Sequence, residues 1–218
     1  LRDAFSFLQK AEPASWQRGK NRTTMLKIGI TGGIGSGKTT CAKLFSMYGI
    51  PVYDSDSRAK YLMNHDAKLI AEIKQLFGEE SYDDKAALNR AVLAKAVFSD
   101  KELLGKLNAL VHPAVHLDSN NWYLANSKSS YVLKEAALIY EVGIDKELDM
   151  VIVVSAPDET RIARVIARSG STRDEVKKRI ASQMPQALKI EKSDFHIVND
   201  GKQSIIHQVA KIHRILHR

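Results

Sequence analysis

The stretch Leu26–Phe45, LKIGITGGIGSGKTTCAKLF, decides the fold. A short apolar run falls into a glycine-rich loop, then a lysine and two threonines. Gly32–Thr39 satisfies G-x-x-x-x-G-K-[ST]. Glycines let the backbone turn its N–H groups inward onto an anion, and the helix that follows adds positive partial charge at its N-terminus. Lys38 reaches the terminal phosphates, and the Thr39 hydroxyl is placed to ligate Mg²⁺. The nucleotide-binding set is therefore Gly33, Ile34, Gly35, Ser36, Gly37, Lys38, Thr39 and Thr40. A dinucleotide G-x-G-x-x-G reading fails because position 38 is lysine.

Strands and helices alternate outward from this loop. GIPVYDSD reads as a second strand ending in acids, YVLKEAALIY as a third, MVIVVSAP as a fourth and FHIVND as a fifth. Several are uniformly apolar, as expected for a parallel sheet buried on both faces. The pattern predicts a three-layer α/β/α fold of the P-loop NTPase type with five parallel strands. From Ser57 to about Ser127 the chain is mostly helical, with Leu69, Ile70, Ile73, Leu76 and Phe77 spaced three or four apart. Pro113 begins or kinks a helix there. This stretch is too long for one crossover and reads as a separate lobe. The expected organisation is a core of 25–56, 128–157 and 186–218, a helical substrate lobe of 57–127 and a helical lid of 158–185. Residues 1–24 carry no sustained period and read as a tail or processed extension outside the fold.

Strand carboxyl ends form the ligand crevice of an open parallel sheet. Asp54 and Asp56 fall at such an end, where a carboxylate can bind Mg²⁺ or take a proton from an acceptor hydroxyl. Asp and Ser equally favour a helix N-cap, and neighbouring residues can share the two jobs. In residues 158–185, Arg161, Arg164 and Arg168 recur on one helix face, Ser169-Gly170-Ser171 breaks the helix, and Thr172 with Glu175 forms a capping box. This pattern looks like a helix–turn–helix lid whose arginines neutralise transferring charge. His213 and His217, four apart on a basic terminal helix, read as a solvated face.

The formal net charge is +8. Of this, +3 belongs to residues 1–24, with five basic (Arg2, Lys10, Arg18, Lys20, Arg22) and two acidic residues (Asp3, Glu12). A basic balance suits nucleic acid or two polyphosphate ligands alike. No aromatic and basic interleaving marks a nucleic-acid surface. No apolar run approaches the roughly 18 residues of a membrane span. The single cysteine, Cys41, excludes a disulfide framework within the chain, fits a reducing compartment, and reads as packed core.

Seven elements in order resemble the dephospho-coenzyme A kinases, from Leu26 to about Lys202. They are T-G-G-I-G-S-G-K-T; Asp54-Ser-Asp56 with Lys60; Leu107-Asn108 with His112-Pro113; Ala137-Leu-Ile-Tyr-Glu141; Val153-Val-Ser-Ala-Pro157 with the Arg164, Arg168, Arg173 series; Arg179 with Gln183; and Val198-Asn199-Asp200-Gly201. Two departures are Ala137 in place of the family's usual proline and Lys60 in place of a frequent arginine. The resemblance implies ATP-dependent phosphorylation of the 3′-hydroxyl of dephospho-CoA, with ATP and Mg²⁺, in the cytoplasm. It implies Asp56 as base or orienter with Asp54 as substitute, and Lys38 and Arg164 in the transfer. Arg164, Arg168 and Asn199 would lie on the ATP side, and Asp56, Lys60, His112 and Glu141 on the coenzyme side. The chain would act on small molecules alone, without nucleic acid or membrane, as a monomer or weak homo-oligomer. The alternative is another P-loop small-molecule kinase, for a nucleoside or nucleoside monophosphate. A switch-type GTPase lacks support, since neither N-K-x-D nor D-x-x-G is present.

Overall fold

The apolar run becomes β1 (Leu26–Thr31), and the chain leaves it through the glycine loop into α1 (Lys38–Ser46). A computed structural model describes residues 25–217, so the expectation for residues 1–24 lies outside the described residues. After α1 come β2 (Val52–Asp54), then α2 (Ser55–His65), α3 (Ala67–Phe77), α4 (Arg90–Ser99) and α5 (Lys101–Ala125). The sheet resumes with β3 (Tyr131–Glu135) and β4 (Met150–Ser155). A helix pair follows, α6 (Asp158–Ser169) and α7 (Arg173–Ala181), then α8 (Gln186–Lys192), β5 (Phe195–Val198) and α9 (Ile205–Leu216). The strand order is β2-β3-β1-β4-β5 in a parallel sheet. β1 is central, paired with β3 through Ile30↔Glu135 and with β4 through Ile30↔Ile152. β3 and β4 lie on opposite sides of β1, so the connections diverge there and the crevice opens at its carboxyl end, where the glycine loop begins.

β4 shows why its sequence lacks alternation. Ile152 and Val154 pack with Cys41, Phe45, Val209 and Ile212 of α1 and α9, while Val151 and Val153 pack with Ile139, Leu148 and Ile190. Both faces are covered, so polar alternation would bury unpaired polar groups. Each fully buried isoleucine of β1 and β4 contributes roughly 1.5–3 kcal/mol.

The described residues form two compact units: 25–53 with 126–217, and 54–125. The second is helical, with Leu62, Leu69, Ile73, Tyr82, Leu93 and Val111 as its core. Arg58 ties α2 to α5 through a two-pronged bond to Asp118, at 2.9 and 2.6 Å.

Some boundaries differ from the sequence reading. The third strand ends at Glu135, not Tyr140. The Ala137 carbonyl accepts from Lys189 Nζ (2.9 Å) and Thr31 Oγ1 (3.2 Å), which draws the chain out of the ladder. The second strand stops at Asp54, because that side chain caps α2. Pro113 lies within the 25-residue α5, which runs through it. His213 is not a solvated face: its ring stacks on Tyr48 (centroids 4.4 Å) and its Nδ1 meets the Tyr131 hydroxyl at 2.8 Å. Those two tyrosines arrive from outside the helix, so its own periodicity does not show them. No helix among the described residues is long and apolar enough to cross a membrane.

Candidate active site

The loop between β1 and α1 is shaped by contacts at its back. Gly35 has φ 77°, and a β-carbon there would lie 2.5 Å from the Arg161 carbonyl oxygen. Only glycine combines that backbone with that approach. Ser36 is fully buried, and its hydroxyl has no hydrogen-bond partner. Lys38 and Thr39 open α1, whose axis points its amino end at the loop.

Glu135, the last residue of β3, completes this group. It is 4% exposed, its Oε1 accepts from Thr39 Oγ1 at 2.5 Å, and Lys38 Nζ lies 3.9 Å from the same oxygen. The sequence reading assigned it no role. The sequence shows only an acid within an apolar run; that it closes the strand beside the loop strand, at the crevice end of the sheet, comes from the fold. Cys41, one turn into α1, is fully buried, and burial pushes its thiol up to about 12, helped by Glu135 and opposed by Arg164.

Three elements meet at the carbonyls of the loop. Asn199 Nδ2 donates to Ser36 O at 2.8 Å, and its own N–H bonds Ser155 O at 2.8 Å. Arg164 Nη2 reaches Asn199 O (3.3 Å) and Oδ1 (3.2 Å), and Nη1 lies 3.5 Å from the Gly35 and Ser36 carbonyls. The structure thus joins Arg164 and Asn199 to the carbonyls of the loop. Arg168, one turn further along α6, is exposed.

Two further arginines of the α6–α7 pair have different settings. Arg161 is 3% exposed, with Nε on Ile34 O (3.0 Å) and Nη1 on Asp158 (2.9 Å). Arg173 pairs with Glu159 across the α6–α7 turn, and the Thr172–Glu175 capping box is present. Ile162, Val165, Val176 and Ile180 form the interior of this helix pair together with Ile34 of the loop.

In the helical unit, Asp54 Oδ1 accepts from the N–H groups of Asp56 and Ser57 (3.1 Å each), and Oδ2 accepts from Ser57 Oγ (2.6 Å). That carboxylate is occupied as the α2 cap. Asp56 and Lys60 are exposed and lie four apart on α2, and His112 is exposed on α5. Glu141 belongs to the sheet unit, where its Oε1 accepts from Met184 N–H (2.9 Å) and pairs with buried Lys189 (2.8 Å). Among the described residues no cluster of three or more His, Cys, Asp or Glu is placed to hold a metal ion.

Comparison with known proteins fits this geometry. The family model for dephospho-CoA kinase matches residues 26–204. The dephospho-CoA kinase of Chlorobaculum tepidum is 37% identical, over 88% of this chain and 95% of the relative. A Thermus thermophilus protein of solved structure is 36% identical with TM-score 0.77, over 88% of this chain and 97% of that one. The Campylobacter jejuni dephospho-CoA kinase, 23% identical, shares the fold with TM-score 0.64, over 88% of this chain and 96% of that one.

Proposed function

Since the chain belongs to the dephospho-CoA kinase family, we propose that it moves the γ-phosphate of ATP to the 3′-hydroxyl of dephospho-CoA, the last step of coenzyme A biosynthesis. The observation that carries this reading is the assembled donor site: loop, Lys38, Thr39, Glu135, Arg164 and Asn199 converge at one strand end. Phosphoryl transfer needs little covalent work from the protein. Its demands are alignment and charge neutralisation.

The loop N–H groups and Lys38 hold the phosphates, Arg164 neutralises charge on the transferring group, and exposed Arg168 meets the nucleotide. Asn199 fixes the loop from the β5 side. The donor set of Thr39 Oγ and Glu135, one hydroxyl and one buried carboxylate, consists of hard oxygens suited to Mg²⁺. Thr39 and Glu135 would hold such an ion, which would supply positive charge to offset that of the phosphates. Asp56 orients the acceptor hydroxyl or takes its proton. Asp54 is the weaker candidate, because its three accepted bonds already hold α2. Lys60 and His112 face the coenzyme. Glu141 serves the coenzyme side by holding its loop through Met184 and Lys189. The reaction is assigned to the cytoplasm and to a monomer or weak homo-oligomer, with small molecules as its partners.

A coupled ADP-release assay with dephospho-CoA, adenosine, AMP and shikimate as acceptors tests the reading. Turnover is expected with dephospho-CoA. Turnover confined to a nucleoside or nucleotide would refute it.

A further inference from the structure

Ile34 is the one loop residue whose N–H and C=O are both bound by side chains of the α6–α7 hairpin and its exit. Its carbonyl accepts from Arg161 Nε at 3.0 Å, and its N–H donates to Gln183 Oε1 at 2.9 Å. These bonds fix the peptide planes on both sides of Ile34. Its side chain also packs against Ile162, Val165, Val176 and Ile180, the interior of the hairpin. Arg161 lies flat against the loop: a β-carbon at Gly33 would fall 2.2 Å from its Nη2. Gln183 is itself held, since the next residue, Met184, donates to Glu141, and Glu141 pairs with buried Lys189.

A glycine-rich loop has many backbone states. Its N–H groups bind phosphate well only when they already converge, so ordering the loop beforehand lowers the cost of binding. We infer that the α6–α7 hairpin supplies this order, with Arg161 and Gln183 as positioning residues that clamp the two peptides flanking Ile34. The hairpin then acts on nucleotide affinity from behind the loop, in addition to any contact of its arginines with ATP. The inference rests on the kinase reading above.

The test measures ATP affinity by calorimetry in the full chain bearing Gln183→Leu, Gln183→Glu or Arg161→Lys. Leucine removes the acceptor, glutamate keeps it, and lysine keeps the charge but cannot span Ile34 O and Asp158 together. Gln183→Leu and Arg161→Lys are each expected to weaken ATP binding about tenfold, the scale of one net hydrogen bond. Gln183→Glu should recover most of the loss, and KM for dephospho-CoA at saturating ATP should stay unchanged. Affinity for ATP within twofold of wild type in Gln183→Leu would overturn the clamp. So would a loss shared equally by both substrates, which marks general loosening. Should Arg161→Lys fail to fold, Gln183→Leu with its Gln183→Glu rescue decides. Wild-type turnover on dephospho-CoA is measured alongside: its absence would refute the kinase reading, whereas the clamp is read in ATP binding alone.

Discussion

Glu135→Gln is the substitution that most directly interrogates the donor site. The glutamine keeps an acceptor oxygen for Thr39 Oγ1, now 2.5 Å from the carboxylate, and keeps the side-chain volume. It removes the negative charge 3.9 Å from Lys38 Nζ. The folded state therefore loses little packing. On the proposed reading, catalysis loses a charged hydrogen-bond partner and a carboxylate oxygen that would ligate the cation. A hydrogen bond to a charged group contributes about 1.5–3 kcal/mol. At about 1.4 kcal/mol per decade, kcat should fall roughly ten- to 150-fold. The assay is steady-state ADP release with dephospho-CoA across a magnesium titration, paired with ATP affinity measured with and without magnesium. The variant should need more magnesium for half-maximal rate, and magnesium should improve its ATP binding less than in wild type. KM for dephospho-CoA should hold, and Glu135→Asp should fall between the two proteins. Wild-type kcat and an unchanged magnesium requirement in Glu135→Gln would refute the assignment of Glu135 to the cation and phosphate site.

Four further outcomes are expected. Asp54→Ala should cost about 1 kcal/mol of stability by removing the α2 cap, and Asp54→Asn should cost little, by denaturant melts. Asp56→Asn should lower kcat more than it raises KM for ATP; an unchanged kcat there with a collapse in Asp54→Asn would move the base role to Asp54. Cys41, the single thiol, should resist alkylation at pH 8 until the chain unfolds: a thiol pushed from 9.0 to about 12 carries about a thousandfold less thiolate, and labelling at the rate of a free thiol would contradict the packed site. His196, whose Nε2 meets Ser155 Oγ at 2.6 Å, is held below its ordinary 6.5 by burial. The unfolded chain therefore takes up that proton first, so stability should fall as pH drops through 6.5, and His196→Gln should flatten the slope of Tm between pH 7 and 5. His213, also lowered by burial and then by His217, should add to the remaining slope in the same direction. Equal slopes in both proteins would refute the role of His196.

What was legible followed the reach of local rules. The loop, the apolar strands and the Thr172–Glu175 capping box each depend on residues within a few positions of one another, and each stands in the structure. Asp54 cannot be divided between cap and catalysis from sequence, because one Asx-type pattern serves both jobs; the hydrogen bonds show the cap, and the Asp54→Asn and Asp56→Asn pair tests the rest. Strand three ran too long on paper because AALIY is as apolar as the strand before it. What ends that strand is buried Lys189, 52 residues away, bonding the Ala137 carbonyl. The same holds for Glu135, Arg161 and Gln183. Their partners lie 96, 127 and 149 residues away, and no period or spacing encodes such pairs.

The glycines of the motif also take on a second meaning. Read from sequence, they free the backbone to fold around phosphate. In the structure, Gly33 and Gly35 also face Arg161: a β-carbon at the first would meet its guanidinium at 2.2 Å and at the second its carbonyl oxygen at 2.5 Å. The requirement for small residues therefore arises on two sides of one loop, from a ligand in front and a helix behind. A substitution at either position disturbs both at once, so weaker ATP binding in such a variant does not by itself report a lost phosphate contact. Gln183 and Arg161 separate the two, because they touch the loop only from the helix side. If the back of the loop sets its affinity, the residues that distinguish one P-loop kinase from another in nucleotide binding need not lie within the motif that names the class.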